Sequence, residues 1–225
     1  MNCSRHAIAS LGLLVALLSV MAFGAGVAQG EPGNHWRLNG TVISGSGSDP
    51  VEVTEIENGT GSLLTKINNT QVKFLCTEMK LKNVALLANG NISEGTAAFH
   101  GCVTYLNGNL SVPCEPFSGS NKGLIQSEKF KGLLSLHEGE LLALITPVGT
   151  NIAIILLGEE CAIGEEIPVA GKLTLLDSGM SVENTVHLIK EGPLTSLSAL
   201  GNPATIDGAA VVRLSGGPKF SGFKL

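Results

Sequence analysis

The stretch Cys102–Cys114 has the sequence CVTYLNGNLSVPC, in which strand-forming residues flank an Asn-Gly pair. Asn-Gly readily adopts the positive φ angles of tight hairpin turns, so this stretch predicts two antiparallel strands. A three-residue loop at Asn107–Asn109 would place Leu106 opposite Leu110 and Cys102 opposite Cys114. Directly opposed Cβ atoms lie about 4.5–5.5 Å apart, close enough for a disulfide after a small adjustment. The hairpin therefore predicts a Cys102–Cys114 bridge.

The two remaining cysteines of the region, Cys76 and Cys161, would then form a second bridge. The chain also has Cys3 near its N-terminus; the four cysteines from Cys76 onward allow three pairings, and a pairing through Cys76–Cys102 stays open. A metal site would need close pairs such as C-x-x-C, and the chain has none. We therefore expect all four cysteines to form disulfides, which implies an oxidising compartment.

Short β-type segments separated by turn residues extend in both directions from this hairpin. Asn-Gly occurs at Asn39, Asn58, Asn89 and Asn107. The gaps between segments are too short for the helices of an α/β alternation, which need about ten or more periodic residues. Regularly spaced short strands predict an all-β, antiparallel sandwich or barrel-like domain. The predicted strands are 36–43, 51–57, 62–67, 71–79, 81–87, 96–104, 109–114, 123–129, 131–137, 140–146, 151–157, 167–176, 184–190 and 210–214.

The apolar stretch Leu141–Gly158 is long enough to raise the question of a membrane span. A cluster of turn residues at Thr146–Asn151, which includes a proline and a glycine, interrupts it. A spanning helix needs about 20 predominantly apolar residues, whereas such a cluster is typical of a turn. We therefore predict two buried strands joined by a loop.

The first thirty residues have the three-part pattern of a secretory signal peptide. Arg5 supplies the positive charge, Ile8–Val20 is apolar, and small residues follow up to a cleavage site near Ala28 or Gly30. We predict a signal peptide helix over 1–28 and a single all-β domain over 31–225, and no membrane span after cleavage. Residues 193–225 are richer in Ser, Ala, Gly and Pro, which indicates either a final strand pair or a looser C-terminal segment.

Charge excludes some classes of partner. The formal net charge is −5, with 14 Lys and Arg against 19 Asp and Glu, and no run of basic residues occurs. Nucleic-acid binding depends on cationic contacts to phosphates, and anionic membranes attract clusters of Lys and Arg. We therefore expect no nucleic-acid partner and no binding to an anionic membrane surface.

Motifs for nucleophilic or cofactor chemistry are missing from the sequence. It contains no G-x-S-x-G nucleophile elbow, no phosphate-binding loop and no dinucleotide fingerprint. The histidines after the signal peptide, His35, His100, His137 and His187, are scattered singly. A single histidine on a strand is more often structural than catalytic, so we expect no catalytic residues and no cofactor.

Acidic pairs are the remaining candidates for chemistry, because paired carboxylates hold Ca²⁺ or hydrolyse glycosides. Glu52, Glu55 and Glu57 crowd one segment, whereas Glu159–Glu160 and Glu165–Glu166 flank Cys161. Catalytic carboxylates need a cleft and a set separation, while acidic residues at strand edges also prevent edge-to-edge pairing. We favour this solubility role and predict no metal site. Aromatic residues make up only 4% of the chain, which disfavours sugar recognition by stacking.

One group of proteins shares the order of these motifs. The chain has FHGC at 99–102, PC at 113–114, GLIQSEKFKGLL at 123–134, EC at 160–161 and PVAGKL at 168–173. This order resembles a loosely defined group of uncharacterised exported bacterial β-rich proteins with four cysteines. The resemblance covers roughly Phe74–Leu176, and it implies an exported β-scaffold. Its cysteines and glycines specify a scaffold, so no catalytic or binding residue is carried over.

Together these observations predict an exported, non-enzymatic protein that acts as a structural or interaction component of the cell envelope or extracellular space. The long apolar strands are also compatible with a homo-oligomer. The first alternative is a secreted module that binds a small or hydrophobic ligand inside a barrel or sandwich. A hydrolase with an unrecognised site has the least support, since it needs a histidine, an acid and a serine brought together in a cleft.

Overall fold

Antiparallel β-strands make up nearly all of the regular secondary structure of the described residues, which confirms the predicted fold class. The computed structural model describes residues 33–45, 48–56, 60–177 and 179–224. The predicted signal peptide and its cleavage site lie outside the described residues. Within the described part of the chain, no helix is long and apolar enough to cross a membrane.

The strands are short and follow one another closely. Short 3-10 turns occur at Ala88–Gly90 and Val112–Cys114. The strands are β1 (Asn34–Leu38), β2 (Thr41–Val42), β3 (Ser48–Ile56), β4 (Gly61–Ile67), β5 (Thr70–Cys76), β6 (Glu78–Lys82), β7 (Ala85–Leu87), β8 (Asn91–His100), β9 (Val103–Leu106), β10 (Asn109–Leu110), β11 (Phe117–Ser118), β12 (Asn121–Lys122), β13 (Ile125–Gln126), β14 (Phe130–His137), β15 (Glu140–Pro147), β16 (Asn151–Leu156), β17 (Glu166–Leu176), β18 (His187–Glu191), β19 (Ser196–Ala199), β20 (Asn202–Asp207), β21 (Ala209–Leu214) and β22 (Phe220–Lys224).

One group of strands forms a barrel-like circuit. Antiparallel pairing runs from β7 through β8, β14, β15, β17, β18, β21 and β3, and β3 pairs with β7 again. Its interior is filled by one hydrophobic cluster, which includes Trp36, Leu134, Leu141 and Phe220. Alternate residues of each strand point inward, as the period of two requires.

A second group of strands forms a curled sheet beside the barrel. Its order is β12, β11, β16, β17, β19, β20, β4, β5, β9 and β10. The inner face of this sheet encloses a second cluster, which includes Phe74, Ile155, Ile167 and the four cysteines. Thus two cores lie side by side within the β-structure.

Strand β17 belongs to both groups and changes partners at Gly171. Its first half pairs with β16 and β19, and its second half pairs with β15 and β18. Gly171 has φ +114°, and a Cβ added there would lie 1.9 Å from the carbonyl oxygen of Ser196. Only glycine fits this close approach of two backbones, because every other residue carries a Cβ.

The two ends of the described chain meet in a small sheet, in which β1 pairs with β2 and β22. Trp36 is buried, and its indole N–H donates to the Asn91 carbonyl at 3.0 Å. Phe220 is also buried, while the guanidinium of Arg37 lies 3.5 Å from the ring centroid of Phe223. The C-terminal segment from 193 onward thus contributes strands β19 to β22.

Most predicted strands occur in the structure, but several have different limits: 71–79 and 96–104 are each divided into two strands, and 109–114 ends at Leu110. Segment 36–43 is the β1–β2 hairpin, because Asn39 and Gly40 both have positive φ. Segment 81–87 is interrupted at Asn83, which also has positive φ, and this residue separates β6 from β7. The predicted pair of strands within Leu141–Gly158 is confirmed as β15 and β16.

Two-residue turns with positive φ at both positions join several hairpins. Three of these turns begin with an asparagine, but one begins with Glu138 and another with Leu200. A left-handed conformation costs a residue with a large side chain roughly 1 kcal/mol or more, whereas Asn adopts it readily. Leu200 has φ +49° and leaves 41% of its surface exposed, so this turn carries backbone strain without complete burial of its side chain.

We expect Leu200→Asn to stabilise the protein by about 1 kcal/mol, because it relieves the strain of the left-handed backbone. Chemical denaturation measures this as a higher midpoint with an unchanged slope. Leu194→Asn is the matched control, since Leu194 is 45% exposed and is not among the residues with positive φ. An equal gain in both variants would show that lost apolar exposure, rather than strain, is responsible.

Candidate functional site

Two disulfides cross-link the curled sheet. Cys76 at the end of β5 is bonded to Cys102, just before β9. Cys114, in the 3-10 turn after β10, is bonded to Cys161 in the loop between β16 and β17. All four cysteines are buried. Since β10 and β16 lie toward opposite margins of the sheet, the Cys114–Cys161 bond links these margins. Two such bonds indicate an oxidising, extracytoplasmic environment.

The predicted Cys102–Cys114 bridge is wrong, because the hairpin has a different register. The turn contains only Asn107 and Gly108, so Leu106 lies opposite Asn109 and Tyr105 opposite Leu110. A shift of one residue moves every side chain of a strand to the other face. Beyond β10 the chain leaves the ladder in a 3-10 turn, where the Thr104 hydroxyl donates to the Cys114 carbonyl at 2.5 Å.

The outer face of the curled sheet carries apolar side chains outside both cores. Neighbouring strands place Leu110, Tyr105, Lys73 and Leu64 in one row. Leu75 lies two residues beyond Lys73 on β5. It shares the face of Lys73, because side chains alternate along a strand. We call these residues the Tyr105 face: Leu64, Lys73, Leu75, Tyr105 and Leu110. A groove of about 360 Å³, open to solvent, lies within it.

Lys73 gives the Tyr105 face its charge. It lies between Leu64 and Tyr105 in the row, and among the described residues no carboxylate forms an ion pair with it. Gln71 lies beside the groove, and its backbone N–H donates to the Asn107 side chain at 2.9 Å. A cation surrounded by leucine and tyrosine side chains is suited to a partner that offers both a carboxylate and an apolar group.

Side chains pack closely in the barrel core around Gly132 and Gly222. A Cβ added to Gly132 would lie 2.7 Å from Ile145, and one added to Gly222 would lie 3.0 Å from Leu134. Real side-chain contacts at this distance force neighbouring atoms to move, so the barrel has no room for a methyl group at either position. A second groove, of about 200 Å³ between β8 and β14, also opens to solvent. Both of these grooves therefore lie on the outside of the β-structure.

The buried pair His187 and Asp177 was missed by the sequence analysis, since no motif relates the two. His187 Nδ1 forms a short contact with Asp177 Oδ2, and Nε2 donates to the Phe220 carbonyl at 2.8 Å. A carbonyl oxygen only accepts hydrogen bonds, so Nε2 must carry a proton. In a Ser-His-Asp triad this nitrogen faces a serine hydroxyl instead. The arrangement therefore attaches β22 to β18 and leaves no free nitrogen for a general base.

The other candidate residues remain apart. Glu159, Glu160, Glu165 and Glu166 are all exposed around Cys161, and the side chains of Glu52, Glu55 and Glu57 lie outside the described part of the structure. His35, His100 and His137 lie on β1, β8 and β14. Across the described residues, no three or more His, Cys, Asp or Glu side chains group closely enough to hold a metal ion.

Glu191, at the end of β18, has an unusual environment for a carboxylate. Partial burial raises its pKa above the ordinary value, and the negative charge of Asp207 acts in the same direction. The Ile206 N–H opposes this increase in pKa by donating to Glu191 Oε2 at 3.1 Å. A raised pKa means that the ionised carboxylate is less favourable in the folded chain than in the unfolded chain.

We expect Glu191→Gln to raise the melting temperature at pH 7, because the amide removes the charge and its oxygen still accepts from Ile206. Stability of the original protein falls as pH rises through the interval between the unfolded and the raised folded pKa of this carboxyl. Below about pH 4 the glutamate is protonated in both states, so the difference between the proteins should disappear. A gain that is constant from pH 3 to pH 7 would refute this electrostatic origin.

We expect the loss of either disulfide to destabilise the fold by about 2–5 kcal/mol. Cys114→Ser with Cys161→Ser should cost more than Cys76→Ser with Cys102→Ser, because the sequence separations are 47 and 26 residues. The chain-entropy model gives a difference of roughly 0.5 kcal/mol. Denaturant unfolding measures both losses, and a peptide map without reductant identifies the bonds. A Cys102–Cys114 peptide would contradict the pairing described above.

Comparison with known proteins assigns no family to this arrangement. No protein-family model matches the chain, and neither the curated proteins nor the solved structures contain a significant match. The arguments about its function therefore depend on its own residues and their geometry.

Proposed function

We propose that this protein is exported and acts without catalysis, by surface contact with another component of the cell envelope or extracellular space. The N-terminal sequence pattern supports export, because a charged residue, an apolar run and a small-residue cleavage site follow in order. The two disulfides are consistent with that route, since such bonds persist in oxidising compartments.

The observation that carries the proposal is the Tyr105 face. Leu64, Leu75 and Tyr105 belong to neither core, although residues of the same strands pack densely on the other side of the sheet. Contiguous apolar side chains on an outer face, rimmed by polar groups, are typical of contact surfaces. Tyrosine is also enriched at such surfaces, because its ring buries a large area while its hydroxyl finds a hydrogen bond.

Lys73 indicates the chemistry of the partner. Its ammonium group lies within this apolar surface, so a partner that supplies a carboxylate there would gain an ion pair partly shielded from water. We infer that the partner is an envelope component that presents a carboxylate beside an apolar group at this surface. Nucleic acid is disfavoured, because the chain as a whole carries an excess of acidic residues.

Two alternatives have weaker support. A module that encloses a hydrophobic ligand needs an internal cavity, and the close packing around Gly132 and Gly222 argues against one at these positions. The open groove by Tyr105 instead favours contact with an extended surface. A hydrolase would need a free histidine nitrogen, but both nitrogens of His187 have partners.

The proposal predicts that the tagged full-length protein, expressed in its host, sediments with the envelope and resists washing. Leu64→Ser combined with Tyr105→Ser should shift most of it into the culture supernatant, because the apolar contact is lost. Lys73→Ser should weaken retention and make what remains less sensitive to salt, since the ion pair that salt screens is removed.

Val148→Ser is the matched control, because Val148 is an exposed aliphatic residue in the β15–β16 loop, away from the Tyr105 face. The control should stay with the envelope, and the melting temperatures of all purified variants show whether they are folded. Recovery of the original protein as a soluble species in the supernatant would contradict the proposal. Equal retention of the folded Tyr105-face variants and the control would exclude this face as the contact surface.

A further inference from the structure

A second outward-facing row lies near the other margin of the curled sheet. Direct cross-strand pairing places Glu166 beside Leu156, Leu156 beside Phe117, and Phe117 beside Lys122. We call these four residues the Phe117 row. Directly paired residues of neighbouring strands point to the same face of a sheet. The row therefore runs from an acid, through two apolar side chains, to a base.

The side chains of the Phe117 row are available for contact. Leu156 and Phe117 are half-buried and belong to neither core, which places them on the outer face. Glu166 is exposed, and the Lys122 side chain is 82% exposed. Lys122 reaches Glu115 only at 3.9 Å, in a solvent-exposed pair of little energetic value. Ile154, two residues before Leu156 on the same face, widens the apolar part.

The order of charges makes the row complementary to itself. Neighbouring strands lie about 4.8 Å apart, so the four residues span about 14 Å. A two-fold axis that lies in the contact plane, parallel to the strands and between Leu156 and Phe117, reverses the row. Glu166 of one copy then lies over Lys122 of the other, and the reverse pair forms at the same time. The two apolar residues meet between these ion pairs, as in an isologous dimer.

We propose that the Phe117 row is the centre of a symmetric homodimer. The occupant is a second copy of this chain, because its charges complement the row at both ends. Stable dimers bury about 800 Å² on each partner, and a patch built on this short row is smaller. We therefore expect a weak dimer, with a dissociation constant above about 1 µM, which forms where the protein is concentrated.

This interface is separate from the Tyr105 face, so the two proposals can fail independently. The Tyr105 face is built on β4, β5, β9 and β10, whereas the Phe117 row is built on β11, β12, β16 and β17. In the order of the curled sheet, β19 and β20 lie between these two sets. A dimer joined through the row would present two copies of the Tyr105 face to a partner, which would increase retention through multivalency.

Sedimentation equilibrium of the purified full-length chain, from about 5 to 500 µM, measures the dimer at low salt and at 1 M NaCl. Glu166→Lys and Lys122→Glu should each weaken dimerisation about tenfold or more, because each places like charges opposite one another. The double variant with both reversals should regain the original affinity, and high salt should weaken the dimer of the original protein. Both residues are exposed, so folding is expected to be unaffected.

Mixing the two single variants provides the sharpest test. Glu166→Lys supplies two bases and Lys122→Glu supplies two acids, so the mixture should form a heterodimer while each variant alone stays monomeric. Lys172→Glu, an exposed charge reversal on β17 outside the row, is the control and should dimerise normally. Original protein that is monomeric at every concentration would overturn the proposal. A dimer that neither single reversal weakens would overturn it as well.

Discussion

The passage of β17 from one sheet to the other at Gly171 is the constraint on which the rest of the structure depends. The strand pairs with β16 before this residue, with β19 on both sides of it, and with β15 and β18 beyond it. A Cβ at position 171 would lie 1.9 Å from a carbonyl oxygen of the neighbouring strand. The close approach is therefore possible only for glycine, and it allows one strand to contribute side chains to two cores.

The two cores leave different kinds of outer surface. Around the barrel, the Thr195 hydroxyl donates to the Thr174 carbonyl of β17 at 3.3 Å, and His187 anchors β22 to β18. The curled sheet instead keeps apolar residues such as Tyr105 and Phe117 on its outer face, outside the hydrophobic clusters. Because its inner face is already filled, these residues can be buried only by another molecule. This arrangement is the basis of the contact role proposed above.

Much of the fold is predictable from local sequence, whereas the candidate surfaces are only partly so. Asn-Gly at Asn107 predicts a hairpin correctly, because the turn conformation is a property of those two residues. The predicted register of that hairpin is wrong by one residue, because a two-residue loop and a three-residue loop both fit the same sequence. In the observed register Cys102 and Cys114 are no longer opposite one another. Cys102 is bonded to Cys76, and Cys114 is bonded to Cys161. The His187–Asp177 pair was also beyond prediction, because Asp177 follows β17 and His187 begins β18, and the two meet only when these strands pair.

The sequence by itself determined that the chain forms short antiparallel strands, that its cysteines form disulfides, and that it lacks the motifs of common catalytic sites. These properties depend on residue types and on neighbours within a few positions. The tertiary structure alone decided the cysteine pairing, the division into a barrel and a curled sheet, and the cross-strand rows that bring Tyr105 beside Lys73 and Leu156 beside Phe117. Such contacts join residues far apart in the chain. They depend on the pairing register, because a shift of one residue would turn the side chains of a strand to the other face of the sheet.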